Sequence, residues 1–269
     1  MDEYIEFKIH QINDDTFDIE AVMGERIYLL IGRKKALVID TGMGLGSLVK
    51  VIRSLTSLPL IIVNTHGHPD HAGGNYEFNQ KVYLSKKDYS LYKKMVTTNY
   101  RSNDIKKIYG NSSIAQLYID NLWPICDKLL PLEEGTNFEL GERKVAVYSM
   151  AGHTKGSMVL FDEKYHGLFV GDAISLNDTW LYLDYSLGLS SYLVSLLTFK
   201  KRNLPINIIY SGHYPNVAKP NLIDDRIALL KEVISGEKIG KKTTTFAGTG
   251  LKVEGHNNSF IYDERRIKE

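Results

Sequence analysis

The sequence has only one cysteine, Cys126, so no disulfide bond can form within the chain. A chain without disulfides is compatible with a reducing cytoplasm. The first residues, Met1 to Tyr4, are acidic and lack the basic and apolar pattern of a signal peptide. No apolar run approaches the roughly 20 residues that a membrane-spanning helix requires. We therefore predict a cytoplasmic protein without a membrane partner.

The sequence also lacks an excess of charge of either sign. Lys and Arg together number 33, Asp and Glu number 32, and the formal net charge is +1. This balance gives no electrostatic reason to expect a nucleic-acid partner. Hydrophobic residues make up 43% of the 269 residues, which is enough for a sizeable core. The expected partner is a small-molecule substrate, and the sequence leaves a homodimer open.

The sequence does contain a dense cluster of potential metal ligands. Three histidines and one aspartate fall within six positions, in the segment Thr65-His66-Gly67-His68-Pro69-Asp70-His71. The apolar run directly before it, Leu60-Ile61-Ile62-Val63, predicts a buried strand. A single histidine is usually a surface or hydrogen-bonded residue, but four potential ligands at the end of one strand predict a metal site. Imidazole and carboxylate ligands suit zinc, with iron and manganese as alternatives.

The spacing within this motif predicts the start of two metal sites. His66 and His68 are two residues apart, so on an extended backbone both side chains point to the same side. Pro69 is expected to stop both the strand and any helix at that point. Asp70 and His71 are therefore expected on a turn, from which they can reach a second metal ion.

The rest of the chain alternates strands and helices, which predicts a layered α/β fold. Strands are expected at residues 26–31, 36–39, 60–64, 81–85, 144–150, 157–161, 167–170 and 206–210. Helices are expected at residues 45–56, 188–202 and 221–235. Residues 241–263 predict turns and two short strands. Both halves contain strands that end in an acidic residue or a histidine, which suggests two similar α/β halves packed face to face.

Residues 86–130 interrupt this alternation, because they are polar, rich in Lys and Tyr, and predicted to be helical. We interpret them as an inserted helical cap, with a solvated surface subdomain as the alternative. A C-terminal helix and hairpin tail is expected at about residues 220–269. The whole chain, residues 1–269, is predicted to form a single domain that includes both features.

Three more candidate ligands share one local pattern. His153, Asp172 and His213 each follow a glycine just after a predicted strand. A glycine lets the backbone turn sharply, and ligands at several strand ends can converge on one crevice. With the first motif they provide three histidines for one ion and an aspartate with two histidines for another, and Asp172 can bridge the two. Asp40, after the strand at 36–39, is interpreted as a residue that orients ligands.

This arrangement resembles the metallo-β-lactamase-fold hydrolase superfamily. The matching motifs, in the family's order, are Thr65-His66-Gly67-His68-Pro69-Asp70-His71, Gly152-His153-Thr154-Lys155-Gly156-Ser157, Gly171-Asp172 and Gly212-His213. The resemblance covers about residues 17–215 and implies an αββα sandwich, a four-layer α/β fold with a helical insertion and a dinuclear site at one edge. It also implies the ligand sets: one metal ion held by His66, His68 and His153, the other by Asp70, His71 and His213, and Asp172 between them.

Several departures narrow the branch that the chain resembles. True β-lactamases of the best-known class carry Cys at the position of Asp172 and lack the His71 ligand, so the chain resembles the glyoxalase II and lactonase branches instead. Acyl-homoserine lactonases carry Tyr at the position of Ser175, which argues against a lactonase mechanism. Flavodiiron proteins carry Glu at the position of His68, which disfavours that branch. The superfamily's nucleases are longer and more basic. Glyoxalase II enzymes have a helical glutathione-binding region, which the tail after His213 matches poorly.

The function implied by the resemblance is that of a dinuclear metal-dependent hydrolase. Two divalent ions about 3.5–4 Å apart can lower the pKa of a shared water and clamp a substrate oxygen. The bridging hydroxide would attack a small ester, thioester or lactone. Asp70 is the expected catalytic residue, because it can hydrogen-bond the hydroxide and help to protonate the leaving group. Two zinc ions per chain are expected, with iron or manganese as alternatives.

The aromatic residues Trp180, Tyr182 and Tyr185 are expected substrate-binding walls, with core packing as the competing interpretation. Two alternative functions remain open. The first is a phosphodiesterase or other phosphoester hydrolase of the same fold. The second is a non-catalytic metal-binding protein, although purely structural zinc sites usually hold a single ion in a closed ligand set.

Overall fold

The computed structural model describes residues 6–269, so the acidic segment from Met1 to Tyr4 lies outside the described residues. The chain divides into two compact units. The first consists of Met1–Leu132 with Asn137–Val145, and the second of Glu133–Thr136 with Ala146–Glu269. Each unit combines β-sheet with helices, which confirms the α/β class. The assignment of the whole chain to a single domain stays a prediction.

The first unit is built on a seven-stranded sheet whose strands follow the order of the chain. They are β1 (Lys8–Asn13), β2 (Thr16–Glu20), β3 (Arg26–Ile31), β4 (Ala36–Ile39), β5 (Leu60–Val63), β6 (Val82–Leu84) and β7 (Leu129–Pro131). Strands β1 to β4 pair antiparallel, and β4 to β7 pair parallel. Parallel strands need crossover connections, and these bring the carboxyl ends of β4 and β5 to the same edge of the sheet.

The helices of the first unit lie in these crossovers. They are α1 (Leu48–Leu55), α2 (Pro69–Ala72), α3 (Tyr89–Met95), α4 (Thr98–Tyr109) and α5 (Ser113–Asp120), with short 3₁₀ turns at Asn75–Phe78 and Lys86–Asp88. The last three helices lie within the insertion expected at 86–130, and its role as a cap stays a prediction. Thr97 and Ser112 cap α4 and α5, because each hydroxyl accepts a hydrogen bond from a backbone N–H three residues later.

Apolar residues from the sheet and from α1 form the core of the first unit. Strand β4 is buried along its whole length, and it pairs antiparallel with β3 and parallel with β5. Leu48 and Ile52, four residues apart on α1, pack against Ile27, Val38 and Ile62 of the sheet. The insertion has its own small core, in which Ile105 and Tyr118 pack with Met43 from the loop after β4.

The second unit contains two sheets and two helices. The strands of its larger sheet are β9 (Lys144–Ser149), β10 (Met158–Asp162), β11 (Gly167–Gly171), β13 (Ile208–Ser211) and β14 (Val217–Ala218). Within this unit their order in the sheet is β14-β13-β11-β10-β9. The sixth strand of that sheet, β8 (Asn137–Glu139), and the start of β9 lie where the boundary between the units falls. The helices are α6 (Leu189–Lys200) and α7 (Leu222–Ser235).

The smaller sheet corrects the sequence analysis of the C-terminal tail. It has four strands, β12 (Asp178–Leu181), β15 (Lys241–Thr245), β16 (Gly248–Gly255) and β17 (Asn258–Tyr262), in the order β12-β17-β16-β15. The prediction of two tail strands was wrong, because β15 has the sequence Lys-Lys-Thr-Thr-Thr and no apolar side chain to reveal it. Strand β12 was missed inside the aromatic segment, and the largely exposed β1 was missed for lack of a buried face. A short 3₁₀ turn, Glu264–Arg266, follows β17.

Within residues 6–269, the helices are too short or too polar to cross a membrane.

Candidate metal centre

In the first unit, Asp40 connects the beginning and the end of the histidine motif. Strands β4 and β5 are parallel, and the N–H of Asp40 donates to the carbonyl of Val63 at 2.8 Å, which places Asp40 beside Thr65. Its carboxylate accepts from the Thr65 N–H at 2.7 Å and from the Thr65 hydroxyl at 2.8 Å. It also accepts from Nδ1 of His71 at 2.7 Å. The interpretation of Asp40 as an orienting residue agrees with these contacts.

The backbone of Asp40 is itself unusual. Its φ is 64°, in the left-handed region that residues other than glycine seldom adopt. Such conformations cost free energy and persist where the surrounding contacts hold them. Here the contacts are the hydrogen bonds to Thr65 and His71, so the turn directs the carboxylate at the motif.

Three imidazoles of the motif pack directly against one another. Nε2 of His66 lies 3.0 Å from Nδ1 of His68, and the His66 and His71 ring centroids are 4.2 Å apart. All three side chains are buried. The contact between His66 and His68 agrees with the prediction that they point to the same side. Nδ1 of His66 lies 3.1 Å from the Thr65 hydroxyl, which directs its Nε2 toward the other histidines.

Asp70 differs from these histidines because 28% of its side chain is exposed. It lies in α2, which begins at Pro69, so the expectation of a turn without a helix was wrong, because proline suits the first position of a helix. Oδ2 of Asp70 is 3.7 Å from Nε2 of His71. Since Nδ1 of His71 donates to Asp40, Nε2 is the nitrogen that can bind a metal ion. We call Asp40, His66, His68, Asp70 and His71 the first cluster.

A buried amide network supports the first cluster, and the sequence analysis did not anticipate it. The Asn64 amide donates to the carbonyl of His71 at 2.9 Å, and the Asn75 amide donates to Oδ1 of Asn64 at 2.7 Å. The Asp88 carboxylate accepts from the N–H of Gly67 at 3.0 Å. The one available signal was an asparagine, Asn64, directly after an apolar strand, where an uncompensated amide would be costly.

In the second unit, His153 and His213 both approach one oxygen of Asp172. Nε2 of His153 lies 3.8 Å from Asp172 Oδ2, and Nε2 of His213 lies 3.5 Å from the same oxygen. We call these three residues the second cluster. Nδ1 of His153 donates to the carbonyl of Trp180 at 3.0 Å, which leaves Nε2 as the nitrogen that faces Asp172.

The ends of two parallel strands bring Asp172 and His213 together. Gly171 at the end of β11 pairs with Ser211 at the end of β13, and the N–H of Gly212 donates to the carbonyl of Gly171 at 2.8 Å. The residues that follow Gly171 and Gly212, which are Asp172 and His213, are therefore brought close together. This geometry agrees with the prediction that ligands at strand ends converge.

The glycines before the second-cluster residues do not share one role, which corrects part of the sequence analysis. Gly171 has a φ of 50°, so it makes the sharp turn that was expected. Gly152 has no positive φ. A Cβ at Gly152 would come within 2.2 Å of the Tyr192 ring, so this glycine is required by close packing.

The structure places the three predicted wall residues differently. Trp180 is half-buried on β12, and its carbonyl accepts from His153. Tyr182 is buried, its hydroxyl is hydrogen-bonded to the Thr245 hydroxyl at 2.6 Å, and burial raises the pKa of its phenol. Tyr185 is half-buried in the turn before α6. Their roles in substrate binding stay predictions.

Ser175 has a local structural role. Its hydroxyl donates to the carbonyl of Asn177 at 3.0 Å, and its own carbonyl accepts from the buried Arg226 at 3.1 Å. The residue is 9% exposed, so little of it is open to a substrate.

Comparison with known proteins gives one family match. The family model described as the metallo-beta-lactamase superfamily matches residues 23–213. Among curated proteins, the acyl-coenzyme A thioesterase MBLAC2 of Homo sapiens is 29% identical over 244 residues, covering 84% of each chain. The protein of the same name from Gallus gallus is 30% identical over 206 residues, covering 70% of this chain and 72% of the relative.

Solved structures share the fold. A metallo-beta-lactamase from Pontibacter korlensis has a TM-score of 0.61 and 17% identity, and the match covers 84% of this chain and 99% of that one. An archaeal metallo-beta-lactamase superfamily protein from Sulfolobus tokodaii has a TM-score of 0.57 and 20% identity, with 81% and 86% of the two chains covered. At these identities the likeness concerns the fold alone.

Proposed function

The chain belongs to the metallo-β-lactamase superfamily and is a metal-dependent hydrolase, and from this premise we propose that it hydrolyses acyl-coenzyme A thioesters. The observation that supports this substrate class is sequence similarity. The chain is 29% identical, over 84% of both chains, to proteins named acyl-coenzyme A thioesterases. A thioester also falls within the ester-like class that the sequence motifs predict.

We propose that the first and second clusters supply the ligands of one dinuclear centre, as the superfamily pattern implies. His66, His68 and His153 would hold one ion, Asp70, His71 and His213 would hold the other, and Asp172 would contact both. The donors fit this assignment within each unit. His71 and His153 each donate Nδ1–H to an oxygen acceptor, which fixes the tautomer that a metal ligand needs.

The donor set also indicates the class of metal. Imidazole and carboxylate without any thiolate suit zinc, iron and manganese, and we propose two zinc ions. Such ions, when bound, lower the pKa of a coordinated water and polarise the carbonyl of the substrate. The chain's own part is to fix the imidazoles and to leave Asp172 and His213 partly exposed to the substrate, at 20% and 37% of their side chains.

We propose that Asp70 transfers a proton during the reaction. Its carboxylate is partly exposed at the start of α2, so it can meet solvent and substrate while it lies beside His71. In that position it can accept a proton from the attacking water and pass it to the departing sulfur. A thiol has a pKa of about 8.5, so a thiolate leaves with less need for protonation than an alkoxide does.

Two local features favour a coenzyme A thioester over the substrates of the related branches. Ser175, at the position of the lactonase Tyr, has a side chain too small to replace a phenol, and its hydroxyl is bound to the Asn177 carbonyl. The tail after His213 forms α7 and a β-hairpin with β17, whereas the glutathione-binding region of glyoxalase II is helical. We therefore expect weak activity on lactones and on glutathione thioesters.

The test is steady-state hydrolysis by the purified protein after reconstitution with zinc or manganese. We expect acyl-coenzyme A thioesters to release free thiol with a kcat/KM at least about tenfold above that for a glutathione thioester, an acyl-homoserine lactone or bis-nitrophenyl phosphate. A higher kcat/KM on any of these three would contradict the proposed substrate class. Higher activity on the phosphate diester would favour the phosphodiesterase alternative.

Elemental analysis of the same preparation tests the dinuclear centre. We expect about two metal ions per chain and loss of thiol release after chelation, with recovery on addition of zinc. One ion or fewer per chain after reconstitution would contradict the assignment. Full metal content without hydrolysis of any substrate would favour a non-catalytic metal-binding protein.

A further inference from the structure

The four-stranded sheet of the second unit has two faces with different surroundings. Leu181, Val253 and Phe260 lie on the face that packs into the hydrophobic core of this unit. Side chains alternate along a strand, so Trp180 and its partner Ile261 point to the opposite face. That opposite face has no part in the mechanism described above.

The opposite face carries three aromatic residues, Trp180, Tyr182 and Phe246, which we call the aromatic shelf. The ring centroid of Trp180 lies 5.9 Å from that of Tyr182 and 5.2 Å from that of Phe246. Both pairs are in edge-to-face geometry, which stabilises aromatic clusters. Phe246 belongs to the turn between β15 and β16, so the shelf joins β12 to the C-terminal hairpin.

Close packing holds this hairpin against β12. The Tyr182 hydroxyl is hydrogen-bonded to the Thr245 hydroxyl at 2.6 Å. A Cβ at Gly250 would lie 2.9 Å from Cβ of Tyr182 and 2.7 Å from the Ile261 side chain. The missing side chain at Gly250 is therefore what lets Tyr182 cover Ile261, which is only 1% exposed.

The shelf is nevertheless open to solvent on one side. Phe246 is 48% exposed, and Trp180 is half-buried. Two adjacent and partly exposed aromatic rings offer a flat apolar contact for a ligand. The hydrogen bond between Tyr182 and Thr245 holds the turn that carries Phe246, so the exposed ring has a defined position.

The shelf also begins directly at a proposed metal ligand. The carbonyl of Trp180 accepts from Nδ1 of His153 at 3.0 Å, and the Ser186 hydroxyl donates to the carbonyl of His153 at 2.8 Å. A substrate whose reacting carbon lies at the ligands of this unit therefore has an apolar surface one imidazole ring away, on the Nδ1 side of His153. The group bonded to the reacting carbon of a thioester, on the side away from sulfur, is the acyl chain.

We propose that the aromatic shelf binds the apolar acyl chain of the thioester, an inference that rests on the proposed function. The charges nearby favour an acyl chain over the phosphate groups of coenzyme A. Two lysines, Lys241 and Lys252, lie opposite each other on the same face, at the end of β15 and β16 away from the turn that carries Phe246. Lys252 already pairs with Asp178 at 3.2 Å and with Glu254 at 3.1 Å. The turn around Phe246 contributes threonines, an alanine and a glycine, none of which attracts phosphate by charge.

The first experiment measures kcat/KM for straight-chain acyl-coenzyme A thioesters with acyl chains from two to sixteen carbons. Each methylene that the shelf covers should raise kcat/KM up to about fourfold. We expect Phe246→Ser to reduce the preference for a twelve-carbon over a four-carbon chain by about tenfold, while the rate on acetyl-coenzyme A changes by less than about twofold.

Val194→Ala is the matched control, because Val194 is an exposed apolar residue on α6 of the same unit, 62% exposed and outside the shelf. This variant should keep the chain-length preference of the wild-type protein. An equal loss at every chain length in Phe246→Ser, or an unchanged preference, would overturn the inference. Loss of metal from Phe246→Ser would also overturn it, because the shelf is proposed to bind substrate alone.

A binding measurement separates failure of this inference from failure of the proposed function. Calorimetric titration with non-hydrolysable ethyl and dodecyl thioethers of coenzyme A requires no turnover. We expect the dodecyl compound to bind wild-type protein at least about tenfold more tightly, and Phe246→Ser to reduce this ratio below about threefold.

The two measurements together identify which of the two proposals fails. If no acyl-coenzyme A is hydrolysed but the dodecyl preference depends on Phe246, the proposed function fails and the chain-binding shelf stands. If thioesters are hydrolysed and the dodecyl preference survives in Phe246→Ser, the proposed function stands and the shelf fails. A change of oligomeric state in Phe246→Ser, measured by sedimentation, would identify the surface as a contact between copies of the chain and overturn the inference.

Discussion

The first and second clusters differ in how the chain builds them. The first takes its candidate ligands from residues 66–71, a single stretch after one strand, and its histidines are buried. The second takes each residue from a different strand end, and Asp172 and His213 keep 20% and 37% of their side chains exposed. A local motif can be held by a few neighbouring side chains, whereas distant ligands depend on the packing of the strands that carry them.

The groups that orient the histidines differ in the same way. In the first cluster a carboxylate, that of Asp40, accepts from His71 and Thr65. In the second cluster a backbone carbonyl, that of Trp180, accepts from His153. A hydrogen bond to a charged acceptor is stronger than one to a carbonyl. Side-chain substitutions should therefore disturb the orientation of the first cluster more than that of the second.

Each unit also contains a fully buried arginine that binds backbone carbonyls near its cluster. Nη1 of Arg101, from the inserted helix α4, donates to the carbonyls of Met43 at 2.7 Å and Gly73 at 3.2 Å. Nη2 of Arg226, from α7, donates to the carbonyl of Ser175 at 3.1 Å. Burial lowers the pKa of Arg101 to about 10, so this side chain is still protonated at neutral pH.

The largest effect should come from substitution of Asp172, the residue of the second cluster that is proposed to contact both metal ions. We expect Asp172→Ala to lower kcat/KM by more than about 1000-fold and to remove metal from both positions, because one carboxylate serves both ions. His213→Ala is the comparison, and it should mainly weaken one ion. Elemental analysis and thiol release measure both variants. Retention of two ions and full rate in Asp172→Ala would show that the carboxylate is not shared.

The next largest effect should come from substitutions near the two groups that orient the histidines, which are the Asp40 carboxylate and the Trp180 carbonyl. Asp40→Asn should weaken metal binding by about 10- to 100-fold, because an amide is a weaker acceptor for His71 and Thr65. Ser186→Ala removes a hydrogen bond to the carbonyl of His153, and this variant should weaken metal binding by less than about tenfold. Competition with a chelator measures both affinities. A larger effect of Ser186→Ala would reverse the comparison.

Smaller effects are expected from the buried arginines. Arg101→Lys and Arg226→Lys each keep a positive charge but lose part of the guanidinium hydrogen bonding, which should cost about 1–2 kcal/mol of unfolding free energy. Chemical denaturation of each metal-loaded variant measures this. We expect Arg226→Lys to lower metal affinity more than Arg101→Lys does, because the second cluster depends on strand packing. Equal metal affinity in the two variants would remove this distinction.

The smallest effect should come from Ser175→Ala. The serine hydroxyl is bound to the nearby Asn177 carbonyl, so its removal should change thioester kcat/KM by less than about twofold. Acyl-homoserine lactone should stay a poor substrate for both proteins. Efficient lactone opening by either protein would show that another group, such as the Tyr182 phenol, takes the place of the missing tyrosine.

Much of the fold was predictable where hydrophobic periodicity is strong. The strands at β3, β4 and β5 and the helix α7 agree with their predicted positions to within about one residue, because each carries a continuous or regularly spaced apolar pattern. The missed strands lack such a pattern: β1 lies at a sheet edge, and β15 consists of lysine and threonine. The compartment, the metal and the oligomeric state stay predictions.

The sequence by itself determined the local part of this protein. His66 and His68 meet because a single residue, Gly67, separates them, and Pro69, a residue that suits the first position of a helix, begins α2 directly after them. The superfamily could be identified because its motifs are short, ordered and chemically specific.

Only the tertiary structure decided which distant groups meet. Asp40 binds His71 across 31 residues because β4 and β5 are parallel neighbours, and Phe246 contacts Trp180 because a hairpin without an apolar pattern joins the sheet of β12. Such contacts depend on strand pairing and side-chain packing over long separations, which leave no period in the sequence.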